Sequence, residues 1–67
     1  MPDQQTIDQE LELLTQYRRE LAHYLEQRAA LGIASLPFEV TYGIRRIREQ
    51  IQQTKARLRA WNVPFAD

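Results

Sequence analysis

The 67 residues carry nine basic and nine acidic side chains, a formal net charge of zero, and no cysteine. That balance argues against a dedicated nucleic-acid binder, whose affinity rests on neutralising phosphates, and disulfides and a structural zinc site on one histidine are excluded. A single domain this short buries a limited share of its apolar surface, so self-association or a tether to a larger protein is the expected remedy.

The apolar runs are only a few residues long, so no segment spans a membrane. The opening Met1-Pro2-Asp3-Gln4-Gln5-Thr6 has no basic stretch leading into an apolar one, so it is not a signal peptide. With no cysteine and no secretion signal, the chain reads as cytoplasmic.

In chain order, Thr6 and Gln9 form a capping-box pattern, with Asp8, Glu10 and Glu12 favouring the positive end of a helix dipole. From about 6 to 31 nothing breaks a helix, and Ala, Leu, Glu, Gln and Arg dominate. Gly32 fits the left-handed position that ends helices, with Ile33 placed for the accompanying apolar contact. Residues 32–35 make the turn, Ser35 is an N-cap, and Pro37 falls in the first turn of a second helix over about 36–61. Glu39 near its start and Lys55, Arg57 and Arg59 near its end suit its dipole. Asn62 and Pro64 stop it, and 62–67 reads as an extended exit segment.

Periodicity gives the architecture. Val40, Ile44, Ile47, Ile51, Thr54, Leu58 and Trp61 alternate by four and three, and Ile7, Leu11, Leu14, Arg18, Leu21, Leu25 and Arg28 do the same. Folding at the turn sets Ile7 opposite Trp61, Leu11 opposite Leu58, Leu14 opposite Thr54, Leu21 opposite Ile47 and Leu25 opposite Ile44. The predicted fold is all-α: an antiparallel two-helix, coiled-coil-like hairpin occupying 1–67 as one domain. Residues 1–34 hold six acids against three bases, and 35–67 the reverse. The two helices therefore attract, although each exposed pair contributes only about 0–1 kcal/mol.

The first helix is more apolar than one neighbour needs. Tyr17, Tyr24 and Leu31 flank its seam on one side, and Ala22 and Ala29 on the other. The corresponding flanks of the second helix are Gly43, Gln50 and Arg57, and Thr41, Arg48 and Lys55. Such a helix belongs in a bundle, so two hairpins packing through their first helices would make a four-helix bundle. The expected interface comprises Leu14, Tyr17, Arg18, Leu21, Ala22, Tyr24, Ala29, Leu31 and Gly43. Inside a helix Gly43 costs about 1 kcal/mol against alanine; it marks close approach of another backbone or is a tolerated glycine near a helix start. Arg18, at a seam position, either packs its stem and sends its head to water or a glutamate, or fixes register as a buried polar group.

No chemistry is visible. His23 is the only histidine, with no carboxylate placed to orient it, and there is no nucleophile motif or phosphate-binding glycine loop. The expectation is no enzyme, no catalytic residue, no cofactor and no metal. Arg45, Arg46, Arg48, Lys55, Arg57 and Arg59 make the second helix basic, but no aromatic side chain interleaves them for base stacking.

Leu14, Tyr17, Arg18, Arg19, Leu21 and Tyr24, then Leu31-Gly32-Ile33, Ser35-Leu36-Pro37, and Ile44, Arg48, Ile51, Lys55 and Leu58 resemble a helical-hairpin module of bacterial signalling and conflict proteins. In those proteins the module accompanies STAND-type NTPase, caspase-like or TIR domains. The resemblance covers nearly the whole chain; it departs at Leu36, where a second proline is expected. It implies a non-catalytic oligomerisation or adaptor domain, an N-terminal piece of a larger protein whose attached effector or sensor domains it gathers. The partner would be a second copy or a homologous hairpin. The alternatives are a stand-alone hairpin binding a different protein and, third, nucleic-acid binding through the second helix.

Overall fold

The computed structural model describes residues 2–32 and 36–66. Two helices, α1 (Gln4–Leu31) and α2 (Phe38–Ala60), lie antiparallel as a hairpin, with overall extents of 46 × 16 × 14 Å. The long dimension is about that of α1 alone at roughly 1.5 Å per residue.

α1 starts earlier than the Thr6–Gln9 pattern indicates. Asp3 is the N-cap, and its carboxylate accepts the backbone N–H of Thr6 at 2.8 Å. That hydrogen bond from Thr6 holds the Asp3 carboxyl below its ordinary value. An aspartate three residues before an unpaired N–H competes directly with threonine as a cap. Starting at Gln4 leaves the first turn without an acid, so Asp8, Glu10 and Glu12 lie beyond the reach of the dipole. Instead, the Gln4 side chain donates to Asp8 at 2.9 Å. At the far end Gly32 donates its N–H to the Arg28 carbonyl and adopts φ 77°, ψ 158°. That is not the helical left-handed cap expected but an extended positive-φ conformation open essentially to glycine. The Ile33 contact and the Ser35 cap lie outside the described residues.

α2 begins after Pro37, which is itself the N-cap with extended ψ and no side-chain hydrogen bond. Its carbonyl accepts from Val40 and Thr41. The proline ring disfavours helical geometry at Leu36, so the helix cannot start at 36.

The inner face of α2 follows its predicted seam closely. Val40, Ile44, Ile47, Ile51, Thr54 and Leu58 are buried, and Trp61 is half-buried. Thr54 is buried without penalty because its hydroxyl donates to the Gln50 carbonyl at 2.8 Å and accepts from Arg57. On α1 only Leu14 is fully buried; Ile7, Leu11, Leu21 and Leu25 are half-buried.

The C-terminal residues depart most from expectation. Asn62 takes φ 56°, donates to the Arg59 carbonyl, and allows Val63 to donate to the Leu58 carbonyl. This pair of bonds is a Schellman motif with asparagine in the left-handed position. It reverses the chain, so Val63 and Phe65 pack onto the core around Leu14, Ile51 and Leu58. What reads in sequence as an extended exit segment is a short strap laid back along the hairpin.

Candidate protein-interaction surface

Two contacts define one edge of the helix pair. Glu10 meets Arg57 at 3.1 Å, and the ring of Tyr24 lies over Gly43, where a Cβ would come within 2.7 Å of the ring. Glu10, Tyr17 and Tyr24 recur every seven residues, as do Gly43, Gln50 and Arg57, so these two rows face each other. Tyr17 and Gln50 accordingly border the same shallow groove. The flank of α2 that lacks apolar side chains therefore serves as the bed for the tyrosines of α1.

This arrangement settles why Gly43 is there. The close approach is made by the Tyr24 ring of the same chain, not by another backbone. Gly43→Leu should cost about 1–3 kcal/mol by overpacking, despite leucine's better helix propensity. In a Tyr24→Ala background the same change should recover about 1 kcal/mol of that loss. Urea denaturation of the four proteins reads this directly; strictly additive costs would show that the two positions do not interlock.

The Glu10–Arg57 pair is an ion contact rather than a well-directed hydrogen bond, since the carboxylate oxygen is buried and no N–H points at it. It guides the pairing of the helices more than it stabilises it.

The other edge is closed by the strap. The Arg18 guanidinium donates to the Ala66 carbonyl, and the Arg59 guanidinium sits 5.5 Å from the centre of the Phe65 ring, a cation–π geometry. Arg18, half-buried at its seam position, thus reaches a backbone carbonyl 48 residues away.

The residues expected at an interface separate into groups. Leu14 is 2% exposed and Gly43 is buried, so both are used inside the hairpin. Tyr17, Leu21 and Tyr24 are half-buried against the core, and Arg18 holds the strap. Ala22, Ala29 and Leu31 are exposed, Leu31 at 47%. Leu13 is half-buried, and with Tyr17, Tyr24 and Leu31 it forms one apolar stripe along α1 at helical spacing.

Sequence periodicity missed a second exposed feature. Phe38 and Tyr42 are 75% and 51% exposed, and their rings stack with centroids 5.8 Å apart. An i, i+4 aromatic pair off the seam was the available signal. Beside them, α2 and the end of α1 border an open groove of about 650 Å³.

His23 is exposed, with Gln27 at 3.4 Å as its side-chain neighbour. Among the described residues no group of three or more His, Cys, Asp or Glu could hold a metal ion, and no helix is long and apolar enough to cross a membrane. No protein-family model, curated protein or solved structure matches the chain.

Proposed function

We propose that the hairpin is a non-catalytic protein–protein interaction module that pairs with a second copy or a homologous hairpin through the exposed flank of α1. Two hairpins joined this way form a four-helix bundle, and in a longer chain that pairing would bring attached domains together. One observation carries the reading: α2 buries seven residues and α1 only Leu14. The hairpin thus satisfies its second helix and leaves the apolar surface of its first partly open. Half-buried tyrosines suit a surface that is covered on assembly, because the ring buries while the hydroxyl reaches the rim.

Light scattering over a concentration series, with helicity measured in parallel, tests the pairing. The expected outcome is a dimer or higher species for the parent chain and a monomer for Leu13→Ser/Leu31→Ser. Neither leucine is part of the core cluster, and Tyr24 keeps its place over Gly43. A helical monomer at every concentration overturns self-pairing.

A second reading has its own support. The strap closes the Arg18 edge and the tyrosines close the Gly43 edge, so one chain shields much of its own seam. That self-containment favours a hairpin that stays monomeric until it meets a different protein.

A further inference from the structure

The outer surface of α2 near the turn combines features that the α1 stripe lacks. Arg28 from α1 and Arg45 and Arg48 from α2 line the groove of about 650 Å³, with Leu36 and Ile44 among its apolar lining and, among the described residues, Glu49 as its one carboxylate. Among the described residues none of the three arginines belongs to an ion pair. The stacked Phe38 and Tyr42 lie on the same helix, and by helical spacing they lead into Thr41 and Arg45 at the groove's border. Three guanidiniums against one carboxylate, around an apolar floor and next to exposed aromatic rings, make a surface with a definite chemical preference.

We propose that this groove docks an acidic, leucine-bearing peptide segment of a different protein. Guanidinium groups hold carboxylates with paired, directional hydrogen bonds. Half-buried Leu36 and the exposed Phe38–Tyr42 stack offer contacts that only apolar side chains use, with the buried Ile44 at the base of the groove. A free anion would satisfy the arginines and leave the floor wet. A nucleic acid needs a longer run of unopposed positive charge. Here Glu49 stands in the groove, Glu39 follows Phe38, and the chain is neutral overall. The volume matches sites that enclose a few side chains rather than a single ion. This proposal rests on reading the chain as a binding module but uses a different face from self-pairing.

Fluorescence anisotropy with a labelled peptide of repeating Glu-Glu-Leu-Leu tests it on the full chain. Its Lys-for-Glu counterpart and a labelled single-stranded oligonucleotide serve as comparison probes. The expected result is saturable binding of the acidic peptide alone, weakened by added salt and about tenfold or more in Arg45→Glu/Arg48→Glu. Both substituted residues are exposed on α2, and circular dichroism of the variant should match that of the parent. Equal binding by parent and variant, no binding of the acidic peptide, or preferential binding of the oligonucleotide each overturns the proposal. Light scattering on the same variant keeps the two ideas apart: its mass should equal the parent's whether or not the parent self-pairs.

Discussion

Leu58→Ala is expected to lose a large share of the hairpin's stability. Leu58 is fully buried at the junction of both helices and the strap, and its carbonyl receives the Val63 N–H that closes the reversal. Truncating a buried leucine costs about 2–5 kcal/mol, the spread depending on how far the site collapses. A chain of this length has a total stability of roughly 3–10 kcal/mol. The loss is therefore a large share of the total stability, and the variant should melt well below the parent by circular dichroism at matched protein concentration. Matching is needed because self-association would itself add stability. Leu58 shares its buried cluster with Leu14, Ile47 and Ile51, and Val63 and Phe65 of the strap pack against that cluster. A melting temperature equal to the parent's would mean that Leu58 does not sit between the helices.

Phe65→Ala should release the strap at a cost of about 1.5–3 kcal/mol. Half-burying a phenylalanine contributes roughly 1–2 kcal/mol, and the Arg59 guanidinium over its ring adds about 0.5–1 kcal/mol at an exposed site. Once the ring is gone, Val63 and the Arg18–Ala66 hydrogen bond hold the segment alone. The chain after Asn62 should then become sensitive to limited proteolysis, while the helical signal persists. That combination distinguishes release of the strap from loss of the hairpin. Arg18→Met keeps the packed stem and removes the donor, so it should produce a smaller change in the same direction. Unchanged stability and protease resistance in Phe65→Ala would show that the strap does not pack on the core.

The strap also bears on assembly. It covers the Leu11/Arg18 side of the seam and leaves the Leu13, Tyr17, Tyr24 and Leu31 side open. On the strap side, a second hairpin approaching α1 would find the Arg18 position occupied, with Ala22 and Ala29 beyond it still exposed. Ala22 and Ala29 are small enough to allow a close helix, but α1 presents its larger apolar side chains on the tyrosine side.

The hairpin was legible from sequence because helical periodicity is a local, repeated signal. Every residue placed on the α2 seam from Val40 to Leu58 is buried, and the paired seams required an antiparallel register with a short turn. The contacts Glu10–Arg57 and Tyr24–Gly43 join residues whose numbers sum to 67, one or two from the seam pairs expected. Cap identity was less legible, since Asp3 and Thr6 are both good caps and Pro37 acts through the residue before it. The flanks were legible as corresponding rows, but not that one beds the side chains of the other. A seven-residue row of tyrosines looks unpartnered until a glycine on the opposite helix is seen to leave room for one of their rings. The fate of residues 62–66 was likewise hidden, because one left-handed asparagine redirects the segment and its contacts are made to side chains up to 48 positions away. Local pattern thus determined which helices form and which faces meet. Only the tertiary structure decided which apolar surface the chain covers by itself, because that depends on side-chain shape and long-range closure, which periodicity does not encode.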